Sequence, residues 1–138
     1  MAQLTVQDVM TRNPVSIAPD LKVDIGLQLM RERGIRRLPV VSSADRLIGI
    51  ITLDEAAQAM PRGSTFFSEG PLEDIPTVRD VMTHDVQTVR PDDPVVRAAR
   101  IMLTHKIGAL PVVADFQLVG IVTESDLFET LVDMLESA

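Results

Sequence analysis

The chain has 138 residues, 46% of them hydrophobic, and its 13 basic and 20 acidic residues give a net charge of −7, which argues against binding nucleic acid through a broad basic face. It contains no cysteine, which excludes disulfides, thiolate chemistry and cysteine-ligated metals. No apolar run approaches the ~18 residues of a membrane span, and no basic region followed by an apolar stretch opens the chain, so we expect a cytoplasmic protein without a membrane partner.

Three short sequences occur twice in the chain. The pairs are VQDVMT at residues 6–11 with VRDVMT at 78–83, LPVV at 38–41 and 110–113, and LIGIIT at 47–52 with LVGIVT at 118–123. A duplication of this size predicts two similar lobes related by an approximate twofold axis, with any bound molecule between them. We place the first repeat at residues 1–60, a linker at 61–76 and the second repeat at 77–138.

Each repeat is predicted to begin with a short helix, at residues 6–10 and 78–82, and a short extended segment, at 15–17 and 87–89. The next helix is predicted to begin at a Pro-Asp pair, because proline suits the first turn of a helix and aspartate its positive end. These pairs are residues 19–20 and 91–92. Apolar residues then recur at helical spacing and are expected to face a sheet: Val23, Leu27 and Met30 in the first repeat, and Val95, Ala99 and Met102 in the second.

Two apolar runs follow in each repeat and are predicted to form a buried β-hairpin. They lie at 38–41 and 47–52, and again at 109–113 and 118–123. Runs this short, β-branched and bounded by turns favour strands over helices. A final helix is predicted at residues 54–60 and from 124 to roughly 135. The order helix, strand, helix, strand, strand, helix predicts an α/β fold whose sheets and helices cover one core.

Two apolar features lie outside this pattern. Phe66 and Phe67, in the predicted linker, either pin the linker to the body or contact a partner or ligand. The final helix carries an apolar stripe wide enough to pack on its own lobe and on a second chain, which predicts a homodimer. The stripe consists of Leu127, Phe128, Leu131, Val132 and Leu135.

The repeated DVMT, LPVV and Gly-Ile-Val-Thr segments, with Asp126 three residues after the last threonine, closely resemble the tandem CBS (cystathionine β-synthase) domain, or Bateman module. The resemblance covers residues 6 to about 131 and points to a stand-alone CBS-domain protein with no room for an attached enzyme. It implies two repeated β-α-β-β-α CBS units packed through their sheets with pseudo-twofold symmetry. It also implies clefts between the units that bind adenosine compounds such as AMP, ADP, ATP or S-adenosylmethionine.

In the second repeat a strand gives way to a helix at Thr123, and the first amides and dipole of that helix, around Ser125, favour an anion such as phosphate. The resemblance assigns Asp126 to the two ribose hydroxyls and Thr123 to the phosphate side or to bracing the backbone. The alternative is a capping box, since Thr-x-x-Asp before an apolar helix satisfies helix amides without a ligand. The two roles are compatible.

The first repeat departs from this pattern. Thr52 is in place, but Glu55 stands where the second repeat has Asp126. Glutamate is one methylene longer and suits a capping box better than a tight ribose site. We therefore expect the site of the first repeat to be the weaker one.

The residues before the two LPVV segments differ in the complementary sense. By resemblance, side chains at these positions reach the phosphates of the nucleotide held by the other repeat, so Arg36 and Arg37 would serve the site of the second repeat with their forked guanidinium groups. Gly108 and Ala109 would face the weaker site and supply no charge. The alternative is that the two arginines form a solvated basic entry to the hairpin.

The short extended segments match the part of CBS domains that walls the adenine base. The matching residues are Ser16, Ile17 and Pro19 in the first repeat, and Thr88, Val89 and Pro91 in the second. The second set belongs with Asp126, which lies in the same repeat. Core packing is the default role of such short apolar segments.

Together these features predict a regulatory module that senses an adenosine nucleotide in the cleft between its repeats and signals to a partner protein. The alternatives are a dimeric interaction or scaffold module with degenerate nucleotide sites, and a binder of S-adenosylmethionine or NAD. Catalysis is not expected, because the sequence has no glycine-rich phosphate loop, no metal-ligand spacing and no evident partner arrangement for its two histidines. We expect no cofactor, with the adenosine nucleotide acting as a regulatory ligand.

Overall fold

The computed structural model describes residues 3–61 and 74–138, in which the chain forms six helices and five strands. Most of the predicted linker, including Phe66 and Phe67, lies outside these residues. The helices are α1 (Val6–Val9), α2 (Val23–Arg33), α3 (Leu53–Ala59), α4 (Val78–Val81), α5 (Val95–His105) and α6 (Glu124–Glu136). The strands are β1 (Thr11–Arg12), β2 (Arg37–Val41), β3 (Leu47–Thr52), β4 (Ala109–Ala114) and β5 (Gln117–Thr123). None of the described helices is long and apolar enough to cross a membrane.

These elements gather into two compact units that do not follow the order of the repeats. The first unit comprises residues 15–85, and the second unit comprises residues 1–14 together with 86–138. Each unit therefore combines the hairpin and two longer helices of one repeat with the opening helix of the other repeat. The repeat and linker boundaries given above stay predictions. The two repeats exchange their opening helices, so each opening helix completes the unit formed by the rest of the other repeat.

The predicted hairpin forms in each unit. In the first unit β2 and β3 are antiparallel, with Leu38 opposite Ile51, and in the second unit β4 and β5 are antiparallel, with Leu110 opposite Val122. All four of these side chains are fully buried. Burial of an aliphatic side chain of this size stabilises the fold by about 1.5–3 kcal/mol. The apolar runs therefore form the central strands, within one residue of the predicted limits.

The predicted extended segments pair with the hairpins in parallel, through one residue each. In the first unit the Ile17 N–H donates to the Pro39 carbonyl at 3.0 Å, and the Ile17 carbonyl accepts from the Val41 N–H at 3.0 Å. Val89 makes the corresponding two bonds with β4, at 3.1 and 2.9 Å. The segments following the opening helices are thus extended as predicted, and each adds an edge to its hairpin.

Helix α2 buries the whole of its predicted stripe, whereas α5 buries only Met102 of its predicted stripe. Val23, Leu27 and Met30 of α2 are all buried in the core of the first unit. In α5 the buried residues are Ala98 and Met102, while Val95 and Ala99 are partly exposed. The prediction for Ala99 was wrong because adjacent helical residues point about 100° apart, and the centre of the buried face falls on the Ala98 side.

The sequence predicts that each Pro-Asp pair begins a helix, but neither pair does. Helices α2 and α5 begin four residues after the prolines, and the residues between form a turn. The Pro19 carbonyl accepts from the Arg79 N–H at 3.0 Å, and the Pro91 carbonyl accepts from the Gln7 N–H at 2.9 Å. Arg79 and Gln7 lie in the first turns of α4 and α1, where amides need acceptors from outside the helix. The turns supply these acceptors, and the next helix begins only after each turn.

Each opening segment crosses its hairpin so closely that glycine is required at the crossing. A Cβ atom on Gly49 would lie 2.8 Å from the carbonyl oxygen of Thr83, and one on Gly120 would lie 2.9 Å from that of Thr11. A methionine sulfur would be closer still, at 2.7 and 2.6 Å. In each unit, the Met-Thr of a DVMT segment therefore packs directly against the glycine of a Gly-Ile-(Val/Ile)-Thr segment.

Candidate functional site

A complete capping box holds the helix start in the second unit. Thr123 is the N-cap of α6; its hydroxyl accepts from the Asp126 N–H at 3.2 Å, and its own N–H donates to Asp126 Oδ2 at 2.9 Å. The Glu124 N–H donates to the Gly108 carbonyl at 3.0 Å. The capping alternative is thus formed without a ligand, because these contacts satisfy three backbone amides at the start of the helix.

The other carboxylate oxygen of Asp126 faces the opening segment of the chain. The Thr11 hydroxyl donates to Asp126 Oδ1 at 3.4 Å, which is long for a bond between two oxygens. A carboxylate offers about four lone-pair sites, and its contacts with Thr123 and Thr11 leave acceptor capacity on Oδ1. Asp126 as a residue is partly exposed.

Glu55 makes the same set of contacts in the first unit with its longer side chain. The Glu55 N–H donates to the Thr52 hydroxyl at 3.1 Å, and the Thr52 N–H donates to Glu55 Oε1 at 2.9 Å. The Thr83 hydroxyl donates to Glu55 Oε2 at 3.0 Å, in place of the 3.4 Å contact in the second unit. The extra methylene lets glutamate reach both partners with good geometry, so its carboxylate is more fully engaged.

Thr11 and Thr83 are the residues that sequence reasoning missed. Each ends a DVMT segment, and the backbone of each pairs with a hairpin strand, β5 for Thr11 and β3 for Thr83. A signal was present, since the same threonine occurs at the same position of both repeats. Its partner could not be read from the chain, because the carboxylate it contacts lies in the other repeat.

Arg36 and Arg37 belong to the first unit, whereas Asp126 belongs to the second. Arg36 stands beside the helix start of its own unit: its carbonyl accepts from the Leu53 N–H at 2.7 Å, and its guanidinium lies 3.5 Å from the Asp54 carboxylate. These two charged side chains are 66% and 75% exposed, so that the ion pair contributes little to stability. Arg36 is exposed and Arg37 is partly exposed at the start of β2. Their service to the Asp126 site and the alternative of a solvated basic entry to the hairpin both stay predictions.

The remaining predicted residues divide between core and surface. Ile17 and Val89 are buried in the two hydrophobic clusters, which is the default role for such residues. Pro19 and Ala109 are also buried; Ser16, Pro91 and Gly108 are partly exposed, and Thr88 and Ser125 are exposed. No group of three or more acidic or histidine side chains in the described ranges could hold a metal ion.

The model of the CBS domain family matches residues 6–62 and 78–133 of this chain. The chain belongs to the CBS domain family. The two matches cover both repeats, so the family resemblance of the motifs is confirmed. The chain is accordingly a CBS pair, and its two helix starts at Thr52 and Thr123 are corresponding positions of two CBS repeats.

Relatives of this CBS pair include proteins of very different length. The pair is 32% identical over 128 residues to a homoserine O-acetyltransferase of Methanococcoides burtonii, covering 92% of this chain and 24% of that protein. It is 31% identical over 140 residues to a CBS domain-containing protein of Dictyostelium discoideum, covering 97% of this chain and 95% of that protein. The chain therefore spans only about a quarter of the first relative and nearly all of the second.

Two solved structures of CBS pairs are similar to this one and contain ligands. CBSX2, a protein of Arabidopsis thaliana, was solved in complex with AMP; it has a TM-score of 0.79 and 29% identity, covering 94% of this chain and 97% of that one. The CBS domain pair of protein MJ0100 was solved with 5′-methylthioadenosine and S-adenosyl-L-methionine; it has a TM-score of 0.81 and 26% identity, covering 96% and 99%. This similarity confirms the predicted α/β fold class of two repeated CBS units.

Proposed function

We propose that this CBS pair is a cytoplasmic regulatory module that binds an adenosine compound and signals its presence to a partner protein. The observation that carries the proposal is the start of α6, where Asp126, a partly exposed residue, keeps acceptor capacity on Oδ1. Similar CBS pairs hold AMP in one case and 5′-methylthioadenosine with S-adenosyl-L-methionine in the other. These three ligands share an adenosine group, and of them only AMP carries a phosphate.

Asp126 is the proposed ribose ligand. Its Oδ2 stays with the capping box, while Oδ1 exchanges the long contact with Thr11 for the hydroxyls of a ribose. A hydrogen bond to a charged acceptor contributes about 1.5–3 kcal/mol, so a weak internal contact is readily replaced. The hydroxyls of Thr123 and Ser125, at the positive end of α6, are the proposed neighbours of any phosphate group.

Arg36 and Arg37 are proposed as further phosphate ligands. The exposed ion pair between Arg36 and Asp54 is weak, and a phosphate is a better bidentate partner for a guanidinium than one carboxylate oxygen at 3.5 Å. The proposed contacts to the base come from Thr88, Val89 and Pro91; Thr88 is exposed and Pro91 is partly exposed, whereas Val89 is buried.

A second, weaker site is proposed at the start of α3. Glu55 already binds both threonines of its unit at 3.1 Å or less, which leaves less acceptor capacity for a ribose. The other residues assigned to this site are Thr52, Ser16, Ile17, Pro19, Gly108 and Ala109. None of them carries a charge, so we expect this site to contribute little affinity for a nucleotide phosphate.

Calorimetric titration with AMP and with 5′-methylthioadenosine tests the proposal. An Arg36→Met variant is expected to bind AMP roughly tenfold more weakly, because one charged hydrogen-bond partner is lost, and to bind 5′-methylthioadenosine as the wild type does. Arg33→Met, an exposed arginine of the same unit, is the matched control and should change neither affinity. Equal loss for both ligands in the Arg36 variant would remove the phosphate assignment.

The complete capping boxes favour one alternative function, a scaffold whose nucleotide sites are degenerate. Both helix starts are satisfied from within their units, so neither carboxylate requires a ligand for the fold. Failure of every adenosine compound to bind would support the scaffold. We infer no catalytic activity from the acetyltransferase, because the shared region is about a quarter of that enzyme.

We also propose that the CBS pair is a homodimer. The predicted apolar stripe on α6 is largely exposed, and no residue of this helix is fully buried. Contiguous exposed apolar surface of this kind marks an interaction site in a folded protein. Sedimentation velocity of the wild-type chain tests this part of the proposal independently of ligand binding.

A further inference from the structure

Two threonine hydroxyls contact the carboxylate oxygens that the helix caps leave over. In the second unit, Oδ2 of Asp126 belongs to the capping box, and Oδ1 faces the Thr11 hydroxyl at 3.4 Å. In the first unit, Oε1 of Glu55 belongs to the capping box, and Oε2 accepts from the Thr83 hydroxyl at 3.0 Å. Each threonine therefore contacts the oxygen that is left for a ribose in the proposed site of its unit.

The backbone, and not the hydroxyl, holds each threonine in place. Thr11 pairs with Ile121 of β5, and Thr83 exchanges two backbone hydrogen bonds with Ile50 of β3, at 2.8 and 3.0 Å. The carbonyl oxygen of Thr11 also lies so close to Gly120 that a Cβ atom there would be 2.9 Å away. Since a threonine hydroxyl rotates to suit its partners, either hydroxyl can leave its carboxylate while the backbone beside it stays in place.

The acceptor capacity of a single oxygen makes the threonine and the ribose competitors. A carboxylate oxygen has two lone pairs, and a ribose presents two neighbouring hydroxyls. When both ribose hydroxyls donate to Asp126 Oδ1, both lone pairs are in use and the Thr11 hydroxyl loses its acceptor. The ligand must therefore displace Thr11, and the free energy of that internal contact is subtracted from the free energy of binding.

The two units differ in the strength of this internal contact. Hydrogen bonds between two oxygens are ordinarily about 2.5–3.0 Å long. The contact of Thr83 with Glu55 falls within this range at 3.0 Å, whereas that of Thr11 with Asp126 lies outside it at 3.4 Å. The extra methylene of glutamate accounts for the difference, so the stronger competitor stands at the site of the first repeat.

We infer that Thr11 and Thr83 set the affinities of the two sites by competing with the ribose for one carboxylate oxygen. This inference rests on the proposed function and adds to it two affinity-determining residues, each in the opening segment of the opposite repeat. A side chain that makes no contact with the bound ligand thus controls how tightly the ligand is held.

Calorimetric titration of Thr11→Val tests the competition at Asp126, because valine keeps the branched shape of the side chain and removes only the hydroxyl. The variant is expected to bind AMP about threefold more tightly than the wild type. Its affinity for 2′,3′-dideoxy-AMP, which lacks both ribose hydroxyls, should be unchanged. Thr11→Ser keeps the hydroxyl and should bind AMP as the wild type does. The matched control is Thr104→Val, at an exposed position of α5 in the same unit, which should change neither affinity.

The competition should be stronger in the Asp126→Glu variant, whose side chain has the reach that Glu55 shows toward Thr83. Adding Thr11→Val to that variant should tighten AMP binding about tenfold, because the internal hydrogen bond that is then removed is a short one. An equal gain with aspartate and with glutamate at position 126 would count against the inference, since the length of the contact would then have no effect on affinity.

The outcomes distinguish this inference from the proposed function. An AMP affinity that is unchanged or lower in Thr11→Val, or a gain that dideoxy-AMP shares, would overturn the inference and leave the proposed function intact. Failure of both the wild type and Thr11→Val to bind any adenosine compound would overturn both. A midpoint of urea denaturation close to that of the wild type establishes that each variant is folded.

Discussion

Replacing Asp126 by glutamate separates the two roles of this carboxylate. Glu55 shows that a glutamate at this position of a CBS repeat forms the complete capping box, with its Oε1 2.9 Å from the Thr52 N–H. It also holds the threonine of the opening segment at 3.0 Å. The Asp126→Glu variant should therefore keep its helix cap, and we expect its free energy of unfolding to stay within about 0.5 kcal/mol of the wild type.

The same substitution should weaken ligand binding. The extra methylene would bring the second carboxylate oxygen closer to the Thr11 hydroxyl, as Glu55 is engaged with Thr83 at 3.0 Å, and would leave that oxygen less able to accept from the proposed ribose. Loss of one hydroxyl–carboxylate hydrogen bond corresponds to about 1.5–3 kcal/mol, which is roughly a tenfold to hundredfold rise in Kd. Calorimetric titration with AMP measures the affinity, and urea denaturation of the same sample measures the stability.

Asp126→Ala is the less informative change, because the structure makes Asp126 a capping residue. Removal of the carboxylate should cost about 1 kcal/mol of stability in addition to any loss of affinity. A wild-type affinity in Asp126→Glu, together with a stability loss in Asp126→Ala, would refute the ribose assignment and leave a purely structural carboxylate.

Three further predictions concern the frame around the site. Gly120→Ala should lower the free energy of unfolding by about 1–3 kcal/mol, measured in urea, because the new Cβ would lie 2.9 Å from the Thr11 carbonyl oxygen; wild-type stability would show that the crossing is loose. Leu110→Ala should cost about 2–5 kcal/mol in the same assay, since this side chain is fully buried at the centre of the second unit; a loss below that range would mean that the core collapses around the missing side chain. The backbone N–H and the hydroxyl of Thr5 donate to the Asp8 carboxylate at 2.9 and 3.0 Å, and these hydrogen bonds lower the pKa of that carboxyl. The ionised Asp8 carboxylate therefore stabilises the fold above the ordinary aspartate pKa, and this stabilisation is lost as the pH falls through the lowered pKa. In an NMR titration, Thr5→Ala should raise the pKa of Asp8 toward its ordinary value, and an unchanged pKa would exclude the hydroxyl as a cause.

The hairpins and their helices could be predicted from the sequence because their signals are local. The run at residues 47–52 is continuous, β-branched and bounded by polar residues, and it forms β3 with the predicted limits. The Thr-x-x-Asp and Thr-x-x-Glu patterns, four residues long, likewise predict capping boxes that the structure contains. Local hydrogen bonding and burial are sufficient to specify such elements.

Features that depend on the other repeat could not be predicted in this way. The Pro-Asp pairs carry a local helix-start signal that proved wrong, because the carbonyl of Pro19 is taken by the amide of Arg79 in the opening helix of the second repeat. The contact between Thr11 and Asp126 joins residues 115 positions apart. Helical and strand periodicities say nothing about partners at such separations, so the exchange of opening segments and the threonine contacts appear only in the fold.

Binding of an adenosine compound by this CBS pair is tested most directly by a series of thermal unfolding measurements. The wild-type midpoint would be measured alone and with AMP, ADP, ATP, 5′-methylthioadenosine, S-adenosylmethionine or NAD at a hundredfold excess over an expected micromolar Kd. A ligand at that excess that binds only the folded state adds about 2.7 kcal/mol, which raises the midpoint of a chain of this length by several degrees. We expect such a rise for at least one adenosine compound and a smaller rise in Asp126→Glu. An unchanged midpoint for every compound in the series would contradict this expectation.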